Sequence, residues 1–406
     1  MLYRVAVVTV ALFVTAGCQP AERTADRTSN VPDVPTLARQ LTHPDTVVRF
    51  AAASALRRSA DAAAATLLIA ASRDEATAVR AVACAGLGIG RDAATTAARH
   101  ACLDDPDPSV RAAALKAMAA AGDRDAGAAV RASLQDPDAG VVRSAVIATG
   151  RLGDRGAVPE LLPLLDHPVS GVRTAAAWAL GVLGDRTAVA PLVRGLGRDD
   201  VAERVVLLNA LGRLGDPTAA SAVVQVAAQG HPTLAPAVPF VLARVTTVAV
   251  RGALLDDRRP AVRAAAALAV GIAGDEPTHS RLLAALGDPT PAVREHAALG
   301  LGFLGLPADV DRLRTVASGD PEPVVRDAAV VSLVMGGSPG ATAAGRLHEA
   351  LARPDPSVRM RAAELLGWLG ASDFLDALRA VAAHDVSDKV RGAARLAVDR
   401  MTDADV

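Results

Sequence analysis

Aromatic residues are scarce in this sequence: among its 406 residues there are two Trp, one Tyr and five Phe. Enzyme cores and ligand pockets rely on large aromatic side chains, so their scarcity disfavours a globular enzyme. Net charge is nearly absent too, at −1, which argues against the basic surface that nucleic acid binding requires. Yet 51% of the residues are hydrophobic, mostly Ala, Val and Leu. This composition excludes disorder and favours closely packed helices.

The first eighteen residues have the pattern of a bacterial export signal. Arg4 provides a positive start, residues 5–14 form an apolar run too short to span a bilayer, and small residues lead to Cys18. The end of this run resembles the lipobox of bacterial lipoproteins, which implies that Cys18 carries a lipid and that residues 1–17 are removed. An ordinary secretory signal with a chance cysteine is the alternative. Residues 18–35 are polar and proline-containing, which predicts a flexible tether.

From Thr36 onward one phrase recurs: Asp-Pro, a few polar residues, Val-Arg, an Ala-rich stretch and Leu-Gly-Asp. Its arginines are 30 to 33 residues apart, except for one double interval. A fixed period in this range indicates a stacked array, here of about twelve units. Each unit is predicted to contain two helices joined by the Asp-Pro turn, with Gly ending the second helix. The arginines are Arg49, Arg80, Arg111, Arg143, Arg173, Arg204, Arg263, Arg294, Arg326, Arg359 and Arg391.

The phrase resembles HEAT repeats, in the short bacterial form that also occurs in phycobilin-lyase-like proteins. This resemblance covers residues 36–401 and implies an all-α fold, a right-handed α-solenoid of about twelve helix pairs. We therefore expect four segments along the chain. They are residues 1–17 (lipoprotein signal), 18–35 (tether), 36–245 (repeats 1–7) and 246–406 (repeats 8–12 with a C-terminal cap).

The seventh unit departs from the phrase, because Pro232, Pro236 and Pro239 occupy the place of Val-Arg. Proline inside a helix removes a backbone hydrogen bond and clashes with the preceding turn. The pattern predicts a kinked or shortened second helix and a change of curvature there, which would divide the array into units 1–6 and 8–12.

The Asp and Arg residues of the phrase are interpreted as structural. The Asp is expected to accept from turn N–H groups and to pair with an arginine of its own or the next unit, locking the stack. His43, His167 and His231 replace this Asp before a Pro. They fall in units 1, 5 and 7, too far apart to share a metal, and are interpreted as turn residues. No metal or other cofactor is expected.

Two further features of the sequence bear on possible chemistry. The HEAT-like enzyme deoxyhypusine hydroxylase binds a di-iron centre through several His-Glu pairs, but His348-Glu349 is the only such pair in this chain. Cys84 and Cys102 flank the turn near Gly90, offset by roughly 9 Å along the helix axis. That offset predicts two unpaired core cysteines. The alternative is a disulfide between them, which an oxidising compartment would permit.

Comparison of the units with one another indicates a binding face. Positions one and five after the repeated arginine share a helix face and vary in size and charge, while flanking positions stay small and apolar. In HEAT folds the second helices line the concave surface, so we predict that this stripe binds a protein partner, with Trp178 as anchor. Its proposed contact residues are Phe50, Lys116, Thr174, Trp178, Asn209, Glu295, Asp327, Met360 and Glu364.

The sequence thus favours a non-enzymatic scaffold or adaptor that is lipid-anchored in the bacterial cell envelope and binds a protein partner. Gln19 stands where Asp would retain a lipoprotein at the inner membrane, which favours the periplasmic face of the outer membrane. Two alternatives stay open: a bilin-lyase-like enzyme, and a structural spacer without a specific partner.

Overall fold

The computed structural model describes residues 33–59, 61–336 and 343–402, and every regular element within these ranges is helical. Its twenty-four α-helices form twelve consecutive pairs, which confirms the predicted α-solenoid. The signal segment and Cys18 lie outside the described residues. None of the described helices is long and apolar enough to cross a bilayer.

Each unit consists of a first helix and a second helix. The first helices are α1 (Val34–Gln40), α3 (Ala62–Ala71), α5 (Ala93–Ala101), α7 (Gly127–Ala132), α9 (Val158–Leu161), α11 (Val189–Gly195), α13 (Ala220–Gln229), α15 (Val248–Leu254), α17 (His279–Ala285), α19 (Val310–Gly319), α21 (Ala343–Ala350) and α23 (Leu375–His384). The second helices are α2 (Thr46–Leu56), α4 (Thr77–Gly86), α6 (Pro108–Ala121), α8 (Ala139–Leu152), α10 (Ser170–Leu183), α12 (Val201–Leu214), α14 (Val238–Val245), α16 (Pro260–Ala273), α18 (Pro291–Leu304), α20 (Pro323–Gly336), α22 (Pro356–Leu369) and α24 (Asp388–Thr402).

Unit 3 shows how the repeated phrase sets the helix ends. The Asp107 carboxylate accepts a hydrogen bond from the Ser109 N–H (2.9 Å) and so caps α6. Pro108 occupies the first turn of α6, where no N–H is needed. The helix ends at Gly122, whose φ of 65° lies in the left-handed region that favours glycine.

Successive second helices stack directly on one another, and small residues let their backbones come close. A methyl group added to Gly271 of α16 would overlap the backbone of Gly300 in α18. A Cβ added to Gly181 of α10 would lie 2.8 Å from the Cα of Ala210 in α12. The first helices form the other layer, and leucines such as Leu192 are fully buried between the layers.

The predicted structural role of the repeated arginine is confirmed, but each Asp pairs with the arginine of the preceding unit rather than with that of its own or the next unit. Arg294 Nη1 donates to the main-chain oxygens of Asp288 (2.9 Å) and Pro289 (3.4 Å) in its own turn. Its Nε and Nη2 donate to the carboxylate of Asp320 in the next unit (2.7 and 3.0 Å). Asp320 also accepts from the Glu322 N–H (3.0 Å), and the guanidinium holds the pKa of Asp320 below its usual value. We call this series the arginine ladder; its other Arg–Asp pairs are Arg49–Asp74, Arg80–Asp105, Arg111–Asp136, Arg263–Asp288 and Arg359–Asp385.

The three turn histidines make the backbone contact of the missing Asp, as predicted. In each, Nδ1 accepts from the N–H two residues further on: from Asp45 for His43 (3.1 Å), Val169 for His167 (3.1 Å) and Thr233 for His231 (3.3 Å). A histidine at this turn position offers no carboxylate to the ladder arginine of the preceding unit. Arg204 accordingly pairs with the Gln229 side chain (2.5 Å) instead.

Unit 7 has the shortened second helix that its prolines predict. α14 has 8 residues, whereas the neighbouring second helices α12 and α16 have 14 each. Packing nevertheless continues through the unit, because Leu234, Val238 and Leu242 are buried in one core cluster together with side chains of units 6 and 8. The described core is continuous from unit 6 through unit 7, and its two large clusters meet within unit 8.

The expectation of two unpaired cysteines is wrong: Cys84 and Cys102 form a disulfide, with their Cα atoms 6.3 Å apart. A 3₁₀ turn follows α4, and α5 begins only at Ala93. A 3₁₀ helix rises about 2.0 Å per residue against about 1.5 Å in an α-helix, and the residues between this turn and α5 are not helical, so the axial offset is smaller than the roughly 9 Å of two continuous α-helices. A disulfide spans this separation.

The arginine ladder predicts that Asp320→Ala is strongly destabilising, because the Arg294 side chain, only 11% exposed, loses its partner. We expect the free energy of unfolding to fall by about 2–4 kcal/mol, measured by urea denaturation followed by circular dichroism. The matched control is Asp311→Ala, which removes a 94% exposed carboxylate paired with Arg314 and should change stability by less than about 0.5 kcal/mol. Similar losses in both variants would contradict a structural ladder.

Candidate binding cleft on the concave face

Three adjoining cavities lie between the second-helix side of units 5–9 and that of units 11 and 12. Their volumes are about 340, 260 and 430 Å³. Arg400 of α24 lines all three, Asn209 lines the first and second, and Trp368 lines the second and third. Second helices six units apart can face one another only on the inside of a curved array. The cavities therefore form one cleft on the concave face, which we call the inner cleft.

A stack of three side chains stands at the centre of the inner cleft. The rings of Phe240 and Trp368 are stacked with centroids 5.9 Å apart. The Arg400 guanidinium lies over the Trp368 ring, 3.8 Å from the ring centroid, which is a cation–π geometry. Burial lowers the pKa of Arg400. The stack joins unit 7 to units 11 and 12, so Trp368 packs both on the C-terminal unit and on unit 7.

Two of the predicted partner-binding carboxylates already have a partner within the chain. Glu295 and Glu364 both bind the Arg361 guanidinium, Glu364 at 3.2 Å. The Glu295 side chain is largely buried, and burial raises its pKa while Arg361 opposes that rise. These three residues connect unit 9 to unit 11 across the wall of the cleft.

His296 lines the 430 Å³ cavity beside this ion cluster. Its Nδ1 is buried and has no hydrogen-bond partner among the described residues. Burial, together with the nearby positive charge of Arg361, lowers the pKa of His296 to about 4. The imidazole is therefore neutral at neutral pH.

Comparing the repeat units with one another could have identified His296 and Arg361, because both lie two positions after the ladder arginine of their unit. In the other nine units that carry this arginine, that position holds Ala or Val. The two polar exceptions face the same cavity. What the comparison could not reveal is that units 9 and 11 meet there.

The 260 Å³ cavity is lined by three arginines, Arg213, Arg244 and Arg400, and no acidic side chain of the described chain lines it. Arg213 and Arg244 form no ion pair within the described residues. Arg213 remains partly exposed to solvent. The surrounding protein and the charge of Arg244 both lower the pKa of Arg213. This part of the inner cleft is therefore electropositive, although the whole chain is nearly neutral.

Trp178, the predicted anchor, is half-buried and lines the 340 Å³ cavity with Asn209. Its ring lies against Gly150 of the preceding unit, where an added Cβ would be 2.6 Å from Cζ3. The remaining proposed contact residues do not line any of these three cavities. They are Phe50 (42% exposed), Lys116 and Asp327 (both exposed), and Thr174 and Met360 (both half-buried).

The variable stripe does not form a continuous open groove along the array. Leu268, Leu299 and Val331, which hold its fifth position in units 8–10, are buried. They are covered because units 11 and 12 curve back over this stretch; Leu268 and Leu299 line the 430 Å³ cavity with Trp368. The variable stripe is thus open in some units and internal in others.

His296 predicts a pH dependence of stability. The free imidazole titrates near 6.5 and the folded one near 4, so between these values the unfolded chain binds more protons. The free energy of unfolding should therefore fall as the pH decreases from about 6.5 to about 4, by up to about 3 kcal/mol. Urea denaturation of the native chain and of His296→Gln at pH 7.5 and pH 4.5 measures this fall, which the variant should lack. The exposed His384→Gln serves as control; if it and His296→Gln behave alike, the prediction is wrong.

Solved structures similar to this chain are helical solenoids. The karyopherin Kap121p, bound to the extreme C-terminus of the protein phosphatase Cdc14p, matches with a TM-score of 0.51 and 14% identity, over 91% of this chain and 49% of that chain. This chain therefore spans about half the length of that karyopherin. The Escherichia coli protein YibA matches with a TM-score of 0.34 and 16% identity, over 77% and 99% of the two chains. Human deoxyhypusine hydroxylase matches with a TM-score of 0.29 and 23% identity, over 74% and 95%.

Comparison with curated proteins finds no match. The family model of HEAT repeats matches residues 64–149, 144–207, 248–334 and 332–399. The interval between residues 207 and 248, which the family model leaves out, contains the irregular unit 7. Because the matched segments make up more than half of the sequence, the chain belongs to the HEAT repeat family.

Proposed function

We propose that this HEAT solenoid is a membrane-anchored scaffold of the bacterial cell envelope, which binds an extended segment of a protein partner in the inner cleft and acts without catalysis. The observation that carries the proposal is the continuity of the cleft: Arg400 lines all three adjoining cavities, and Asn209 and Trp368 each line two of them. Trp and Arg are the residues most enriched at binding hot spots.

The size of the cavities supports a segment rather than a folded domain. Volumes of about 260–430 Å³ are those of pockets that hold a small molecule or a few side chains. The karyopherin structure offers a precedent in the same fold, because it was solved with the extreme C-terminus of another protein bound. A chain end or loop can enter such a cleft without displacing the packed units.

The anchor is proposed from the sequence, in which Cys18 ends an export-signal pattern. The disulfide between Cys84 and Cys102 supports the same location, because disulfides persist in the periplasm and are rare in the cytosol. Both observations favour the envelope, and Gln19 after the cysteine favours the outer membrane.

Partner binding predicts site-dependent crosslinking in living cells. A photoreactive benzoylphenylalanine at position 209, inside the cleft, should capture one reproducible protein, whereas the same group at position 379 of the outer helix α23 should not. Trp178→Ala should reduce the captured amount at least about fivefold, as expected when a hot-spot contact of more than about 1 kcal/mol is removed. Circular dichroism should show that the variant stays folded. Identical products from positions 209 and 379, or none at all, would favour a structural spacer.

Lipid anchoring predicts that Cys18→Ser moves the protein from the membrane fraction to the soluble periplasmic fraction, because one acyl-modified residue provides the attachment. Cell fractionation with detection of the full chain measures this change. Gln19→Asp provides the matched test of sorting and should shift the protein towards the inner membrane in a density gradient. A membrane-bound Cys18→Ser protein would rule out the proposed anchor.

A further inference from the structure

The arginines of the inner cleft differ from those of the arginine ladder. A ladder arginine such as Arg294 uses its donors on one carboxylate and on main-chain oxygens. Arg213 and Arg244, by contrast, make no side-chain hydrogen bond or ion pair within the described residues. They line the same 260 Å³ cavity as Arg400, whose guanidinium is held on the Trp368 ring. Three guanidinium groups thus converge on one cavity that no acidic side chain of the described residues lines.

Guanidinium groups bind carboxylates in charge-assisted, often bidentate pairs. Glu364 stabilises the charge of Arg400, but the charges of Arg213 and Arg244 repel each other, a cost that an anion entering the cavity would reduce. The amide of Asn209 adds a neutral donor and acceptor to the same cavity. This composition fits an anionic group and disfavours a cationic one.

The two neighbouring cavities combine apolar walls with charged side chains: Asp399 lines the 340 Å³ cavity, and Arg361 and Glu364 line the 430 Å³ cavity. The 340 Å³ cavity is walled by Trp178, Val205 and Val206. The 430 Å³ cavity is walled by Phe240, Leu299 and Leu365, among others. Both are continuous with the arginine cavity through Arg400. A ligand that fills the cleft therefore carries apolar groups on either side of a negative charge.

We propose that the occupant of the inner cleft is an acidic segment of the partner protein, in which one or two Asp or Glu residues, or a terminal carboxylate, are flanked by large apolar residues. This inference rests on the proposed function and specifies its ligand. The carboxylate binds Arg213, Arg244 and Arg400, and the flanking side chains pack on the apolar walls of the two neighbouring cavities. A segment is favoured over a free organic anion because the arginine cavity opens into both neighbours.

The chain itself offers a direct readout, since its two tryptophans, Trp178 and Trp368, both line the inner cleft. The full chain, purified in detergent, is titrated with a synthetic octapeptide that has two central glutamates flanked by leucine and phenylalanine. Tryptophan fluorescence and anisotropy of a labelled peptide report binding. The same peptide with glutamines in place of the glutamates should bind at least about tenfold more weakly, the value of one charged hydrogen bond. Binding of the acidic peptide should also weaken as salt is raised.

Variants assign the charge effect to the cleft. Arg213→Ala and Arg244→Ala should each weaken the acidic peptide at least about tenfold and leave the glutamine peptide unchanged. Arg379→Ala, which removes the same charge from the outer helix α23, should have no effect. The double variant Arg213→Glu and Arg244→Glu should prefer a peptide with lysines in place of the glutamates, a reversal that a merely structural role would not produce.

Three results would overturn the inference. One is equal affinity for the glutamate and glutamine peptides. Another is full affinity for the acidic peptide in Arg213→Ala and Arg244→Ala. The third is tighter binding of citrate or inorganic phosphate than of the peptide, which would identify a free anion as the occupant. If position 209 still captures its protein in Arg213→Ala cells, the proposed function stands and only the acidic chemistry is wrong; if it captures nothing in the native chain, the proposed function fails independently.

Discussion

The close stacking of the second helices is the constraint on which the rest of the structure depends. At Gly181 and Ala210, and again at Gly271 and Gly300, no side chain keeps neighbouring backbones apart. Spacing between packed helices follows the size of the residues at the contact. Neighbouring second helices pack extensively, whereas neighbouring first helices make few direct contacts, so the inner layer is shorter than the outer one and the array curves. That curvature brings α24 back to α12, six units earlier, and encloses the inner cleft.

The arginine ladder complements this stacking by fixing how each unit sits on the next. Small apolar residues give close approach but little register, because Ala and Gly surfaces slide past one another. A guanidinium held by two main-chain oxygens and a carboxylate, as Arg294 is held by its own turn and Asp320, has one arrangement. Each guanidinium of such a pair is therefore bound to a carboxylate and to main-chain oxygens of the chain itself. Arg213 and Arg244 of the inner cleft have no such partner within the described residues, whereas Arg361 is paired with Glu295 and Glu364. Charge pairing therefore separates structural from candidate binding arginines here.

The repeat, the unit number, the turn histidines and the ladder were predictable because each depends on residues within one or two units. The inner cleft was not, because its walls come from units up to seven apart and meet only after many small rotations have added up. Trp178 and Asn209 were identified as variable surface positions, and the structure brings them to the cleft. Arg213 and Arg400 were missed, although they lie one helical turn beyond that stripe, at the ninth position after the ladder arginine. The disulfide was missed because a short 3₁₀ turn changes the rise of the chain.

Unit 7 explains why the most voluminous of the three cavities lies where the repeat is least regular. Its prolines replace the beginning of a second helix, so α14 starts only at Val238. The missing turns leave a gap in the inner layer, and Pro232, Pro236 and Phe240 line the resulting 430 Å³ cavity. The Phe240–Trp368 stack then holds the far wall in place across that gap. A departure from the local pattern is tolerated because neighbouring units supply the packing, and it is at such departures that a repeat protein acquires a site.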